Sequence, residues 1–341
     1  MRNQVNSSDA ISSSDSTDIA IPRAGCFWLI LIFEIPSIIC SFFILYHFLV
    51  SRSLRQALYN HVFIVIALIN LVVELTDIVW TLKFYQSNTV WSVAPSFCIA
   101  WVYLNEGLHI TITLLVAWAT IERHILIFHN QWIATKKQII LIHALPLVIT
   151  LGYGLGYNFI IIVFPPCQNT FDYTQVRCGD PLCFYDDQRA SLWDVIIHDL
   201  IAAIIIIVFS LALLVRIVMK KRSMHRPMHW RKHRKMTIQL LSISFLYLII
   251  HIPYMLLEFV HSCGVSEEFG AEFVLYGNFF AYFGNLLLPF VCAGSLPELA
   301  KKVRHIVLCW RCQARIRPLE SSSMTQTAGR KATRLPIIVE K

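Results

Sequence analysis

The sequence predicts an all-α membrane protein: a seven-transmembrane helix bundle with a short amphipathic eighth helix. Three observations predict it. Of 341 residues, 56% are hydrophobic and 15% charged, with a mean hydropathy of +0.60; an average soluble domain is about 45–50% apolar and about 25% charged. Seven apolar runs each reach the roughly 20 residues that cross a hydrocarbon core of about 30 Å as a helix. Lys and Arg crowd the segments on one side of those runs. This composition excludes a secreted disulfide knot, a disordered scaffold and a soluble nucleic-acid binder.

The runs are Phe27–Val50, Tyr59–Leu82, Phe97–Ile121, Gln138–Val163, Trp193–Met219, Thr237–Val260 and Phe273–Leu296. None has a Lys or Arg in its middle; Lys83 and Arg216 stand near span ends. With the N-terminus outside, the inner segments hold 24 of the 29 Lys and Arg residues and the outer segments hold 5. The expected placement is therefore a multi-pass protein of the plasma membrane, N-terminus extracellular and C-terminus cytoplasmic.

Four regions follow. Residues 1–26 form a polar extracellular tail without a cleavable signal pattern, and Asn6 opens a glycosylation sequon, Asn6-Ser7-Ser8. Residues 27–296 form the membrane domain. Residues 297–312 read as an amphipathic juxtamembrane helix, where Cys309 and Cys312 beside basic residues suit palmitoylation. Residues 313–341 form a disordered cytoplasmic tail rich in Ser and Thr, where phosphates would suit a basic arrestin-like partner. The basic run Lys220 to Lys235 suits anionic membrane lipids. Its His225, His229 and His233 recur every four residues, but Pro227 interrupts the helix, and no metal site is expected. No cofactor and no catalytic pattern of the His-Glu-x-x-His or nucleophile-elbow kind is read, so an enzyme is not expected.

Of ten cysteines, Cys26, Cys98, Cys167, Cys178, Cys183 and Cys263 fall outside, and three bridges among six allow about 15 pairings. Cys40 and Cys292 lie within spans as packing residues. Seven acids occupy the outer halves of the spans: Glu34, Glu74, Asp77, Glu106, Asp194, Asp199 and Glu258. No Lys or Arg is read at their depth. Such acids hold a proton, bond to neighbours, or await a cation.

The third span begins with Cys98 and closes with Glu122-Arg123-His124, 25 residues from Cys to Arg. Asn60, Ala67 and Asn70 mark the second span, Tyr247 and Pro253 the sixth, and Pro289 the seventh. Over about Phe27 to Cys312 this pattern resembles the rhodopsin-like G-protein-coupled receptors, as a divergent member. The departures are Asn70 for the family's Asp, His251 for its Trp, and Leu288 and Cys292 for its Asn and Tyr around Pro289. With no Lys in the seventh span, there is no retinal Schiff base.

The resemblance implies a receptor that senses an extracellular ligand and activates a heterotrimeric G protein by a helix-bundle switch. Its switch residues would be Glu122, Arg123, His124, Pro253 and Pro289. Arg123 would rest on Glu122 until freed to bond the carbonyls of an inserted G-protein helix. The ligand residues would be Asp77, Trp101, Asn105, Glu106, Asp199 and His251, and the acids point to a cationic peptide or amine. Asn105 holds the position where amine receptors carry their Asp, and Glu106 lies about 100° round the helix from it. The expected bridges are Cys98 with Cys183, Cys167 with Cys178, and Cys26 with Cys263. The alternative is a polytopic transporter or channel. It would call for Gly- or Pro-interrupted spans in corresponding halves, whereas Gly152, Gly154 and Gly156 cluster in the fourth span alone.

Overall fold

The computed structural model describes residues 21–295 apart from 134, 180, 224–227 and 267. The expectations for Asn6, the eighth helix, Cys309, Cys312 and the tail lie outside the described residues. Every regular element among those described is helical. Seven helices are long and apolar enough to cross a membrane: α1 (Arg23–Val50), α2 (Asn60–Ser87), α3 (Pro95–Phe128), α4 (Lys136–Val163), α5 (Gln188–Arg216), α6 (Thr237–Ser262) and α7 (Ala271–Gly294). The chain is a multi-pass membrane protein. Several helices run past their apolar runs, as α2 to Ser87 and α3 to Phe128, because the run marks only the part in hydrocarbon.

Local signals set the ends. Asn88 closes α2 in the left-handed region (φ 55°), which Asn tolerates. Pro95 opens α3 at its first turn. Thr135 and Gln138 form a reciprocal capping box at the start of α4. Between α1 and α2 a single helical turn, Arg52–Arg55, is fixed by buried Asn60, whose Nδ2 donates to the Leu54 carbonyl at 2.8 Å.

α3 is the central helix, with 61% of its apolar window buried, against 11% for the peripheral α4. The two meet closely at Gly154, where a Cβ would lie 2.7 Å from Thr111 Oγ1 and 3.1 Å from Thr111 Cα. Small residues permit such approach where lipid supplies no hydrophobic drive between helices. Ile112, Leu115, Val116 and Ala119 of α3 pack with Ile66 of α2, Ile206 of α5 and Leu240 and Ile243 of α6 as the apolar core.

Four spans each contain one widened π turn: Glu74–Ile78, Tyr103–Gly107, Ile140–Ala144 and Val195–Leu200. Such turns insert a residue and turn the following side chains to a new face. Asp77, Asn105, Glu106 and Asp199 all stand on them.

Two disulfides hold the segment between α4 and α5: Cys98–Cys178 joins it to α3, and Cys167–Cys183 closes a loop within it. The expected partners are thus exchanged. The cause is local. Arg177 and Cys178 both take left-handed backbone (φ 55° and 61°), folding Cys178 inward against Phe84 and Trp101 beside Cys98. Cys183 opens a separate short turn, its amide donating to Asn169 Oδ1 at 3.1 Å, next to Cys167. The third expected bridge does not form: Cys26 is a buried thiol 3.8 Å from the Ile21 carbonyl, and Cys263 is an exposed thiol.

Candidate functional site

A cavity of about 700 Å³ opens at the disulfide end of the bundle, lined by α3, α5, α6, α7 and the segment between α4 and α5. Five carboxyl side chains face it, Glu106, Asp186, Asp194, Asp199 and Glu258, against one guanidinium, Arg177. The imidazoles of His109, His251 and His261 also line it.

The expected ligand residues divide. Glu106, Asp199 and His251 line the cavity; Asp77, Trp101 and Asn105 are not among its lining residues. Those three form a cluster beside it. Trp101 Nε1 donates to Asp77 Oδ1 at 2.7 Å, and Asn105 Nδ2 to Asp77 Oδ2 at 2.7 Å. Both oxygens of Asp77 are thereby engaged, which makes it a structural acceptor between α2 and α3.

Arg177 corrects the expectation that no cation lies at this depth. Its Nη1 donates to Asn105 Oδ1 at 2.8 Å and to Glu106 Oε1 at 3.1 Å. The left-handed backbone at 177 and 178 and the Cys98–Cys178 bridge carry it there. Its place immediately before Cys178 is the signal the sequence holds, while a loop position by itself reads as solvent-facing.

Asp194 is a hub. It accepts from Tyr157 Oη at 2.9 Å, Tyr185 Oη at 3.0 Å and His198 Nδ1 at 2.7 Å, while His198 Nε2 meets Tyr153 Oη at 2.8 Å. The Tyr185 ring is 38% exposed, but its hydroxyl is turned inward to Asp194. Loss of water around that hydroxyl and the neighbouring carboxylates push the phenol well above its usual range. His198 is buried within the hub rather than lining the cavity. Asp199 differs from Asp194: it accepts no hydrogen bond from a described residue, and it faces the cavity.

Below lie three packed rings. His109 of α3 and His251 of α6 have centroids 4.4 Å apart, and His251 and Tyr247 4.6 Å. Tyr247 Oη bonds Thr113 Oγ1 at 2.6 Å, so α3 and α6 are linked by two contacts one turn apart. Pro253 stands two residues beyond His251 within α6, where it removes one backbone hydrogen bond. Pro289 lies inside α7.

A second buried polar group joins α1, α2 and α7. Glu74 Oε1 accepts from Asn70 Nδ2 at 3.0 Å and lies 2.6 Å from Ser37 Oγ, and Asn70 Nδ2 also reaches the Asn285 carbonyl at 3.2 Å. Buried Glu34 has neither oxygen bonded among the described residues.

At the opposite, arginine end, Arg123 is buried with its guanidinium over the Phe63 ring, 5.1 Å from the centroid. Glu122 engages a partner the sequence did not suggest: its Oε1 bonds His143 Nδ1 of α4. The expected rest of Arg123 on Glu122 is replaced, for this oxygen, by a bond to the His143 ring. His124 packs edge-on against Phe209 of α5.

No protein-family model matches the chain, and no curated protein matches it.

Proposed function

We propose that the chain is a receptor of the rhodopsin-like kind. It senses an extracellular cationic ligand, a peptide or an amine, and activates a heterotrimeric G protein by switching between two arrangements of its helices. The observation that carries this reading is the span of α3. One end presents Glu106 to an acid-rich cavity, the other carries Arg123 within Glu122-Arg123-His124, and His109 between them touches His251 of α6.

Coupling of distant sites requires an element that both can bias. Helix α6 suits this role, since Pro253 weakens its backbone ladder just beyond the rings that contact α3. In this reading the disulfide end is extracellular and the arginine end cytoplasmic, in agreement with the distribution of Lys and Arg. Asp199 is the anchor for the ligand's charge: it faces the cavity with no hydrogen bond from a described residue, whereas Asp194 is held by two phenols and an imidazole and Glu106 by Arg177.

The test is expression in cells with a panel of G-protein sensors, under a library of amines and basic peptides. A response in wild type that is lost in Arg123→Ala at equal surface level is expected. A response that survives the substitution overturns the reading.

A further inference from the structure

Two imidazoles and one carboxyl group form an unbroken chain at the arginine end. His61 Nε2 lies 2.9 Å from the Arg55 carbonyl oxygen, His61 Nδ1 lies 2.9 Å from His143 Nε2, and His143 Nδ1 bonds Glu122 Oε1. Glu122 and His143 are buried, and His61 is half-buried.

The protons of this chain can be counted. A carbonyl oxygen only accepts, so His61 Nε2 carries a hydrogen. The contact between the two rings needs one hydrogen, since two nitrogen lone pairs facing each other repel. The contact between His143 and Glu122 needs another, because a bare ring nitrogen and an ionised carboxylate are both acceptors. Three contacts therefore hold three hydrogens. Two neutral imidazoles and an ionised carboxylate bring only two.

We infer that the Glu122–His143–His61 chain is a binding site for one additional proton, and that with it the three side chains together carry no net charge. The proton is distributed either as an imidazolium beside a carboxylate or as a carboxylic acid beside two neutral rings, and the count is the same. It exchanges at His61, the least buried member. At the arginine end, the charged groups on the elements packed around the chain are Arg52 and Arg55 of the short turn, Arg123 of α3, Lys136 and Lys137 of α4, and Arg216 of α5, whose guanidinium lies over Phe128 of α3; the acids Glu74 and Asp77 of α2 and Glu106 of α3 stand turns away towards the other end, and the further imidazoles at this end are His47, His124 and His129. The neighbouring charges are cationic and oppose an added proton. What retains it is burial, which makes a broken contact between acceptors costly. Loss of the proton leaves a net negative charge on a chain that begins one residue from Arg123 and severs it at one contact. This inference does not depend on the proposed receptor function.

The test is nuclear magnetic resonance on the full-length protein in lipid nanodiscs near neutral pH, with isotope-labelled histidine and glutamate. It reads the hydrogen on each ring nitrogen of His61 and His143 and the ionisation of Glu122. Three protonated ring nitrogens with an ionised Glu122, or two with a protonated Glu122, is the expected result. Two protonated nitrogens with an ionised carboxylate overturn the inference. Glu122→Gln supplies a second reading: its amide donates to His143 Nδ1, so the chain closes with two neutral rings. Loss of one proton from the total is then expected, and an imidazolium persisting in this variant also overturns the inference. Should the variant fail to fold, the wild-type count decides.

Discussion

Trp101 Nε1 donates to Asp77 Oδ1 at 2.7 Å, and both side chains are sealed from solvent. The bond ties α3 to α2 beside the cavity rather than within it. Asp77→Ala removes the acceptor for both Trp101 and Asn105. Each orphaned donor costs about 1–3 kcal/mol. Trp101→Phe keeps an aromatic ring but removes the donor and part of the buried volume, which costs at least about 1–2 kcal/mol. Thermal unfolding in detergent should show both losses, and a double-mutant cycle should show non-additivity, since the residues share a bond. Additive effects would show that the bond contributes nothing.

The acid-rich cavity yields a contrasting prediction. Asp199 has no protein donor among the described residues and borders open space. Asp199→Asn should leave the melting temperature nearly unchanged. It should weaken a cationic agonist by about 10–150-fold, the worth of one charge-assisted bond of about 1.5–3 kcal/mol. Concentration–response curves in sensor-bearing cells measure this. Unchanged potency would remove Asp199 from the ligand's contacts.

Three glycines on α4 separate packing from composition. A Cβ on Gly154 meets Thr111 at 2.7 Å, whereas one on Gly152 or Gly156 meets nothing within 4 Å. Gly154→Ala should therefore destabilise by about 1–3 kcal/mol through overpacking against α3. Gly152→Ala and Gly156→Ala should be neutral or slightly stabilising, because Ala is the better helix former. Parallel thermal melts of the three variants check the ranking.

The bridges differ in the chain they close. Cys98–Cys178 spans 80 residues and Cys167–Cys183 spans 16. On the loop-entropy relation their removal costs about 4.5 and about 3 kcal/mol respectively. Peptide mapping of the unreduced protein should recover those two pairs. Recovery of Cys98 with Cys183 would contradict the inward fold of residues 176–178.

The spans and their number were legible because hydropathy over about 20 residues is a strong signal. Glu106, Asp194, Asp199 and Glu258 were legible as acids in the outer halves of spans that carry no Lys or Arg at that depth. What the sequence concealed depends on phase and on loops. Cys178 and Cys183 are five residues apart, and only the left-handed pair Arg177 and Cys178 decides which meets Cys98. Non-glycine residues visit that region rarely, so no pattern announces it. The same pair delivers Arg177 to Glu106, which spacing alone could not foresee. In the sequence His143 is one polar residue in an apolar run; only the packing of α4 against α3 and α2 reveals its place between Glu122 and His61.

The widened turn at Tyr103–Gly107 has a consequence for comparing this chain with other helical membrane proteins. Cys98 and Arg123 are 25 residues apart, but one of those residues is absorbed without advancing the spiral. The azimuth of Arg123 relative to Cys98 is therefore that of a plain helix one residue shorter, a difference of about 100°. An ungapped superposition anchored on the cysteine would mis-set every side chain beyond Gly107, and one anchored on the arginine would mis-set those before Tyr103. Equivalent positions have to be sought separately in the two halves of the rod.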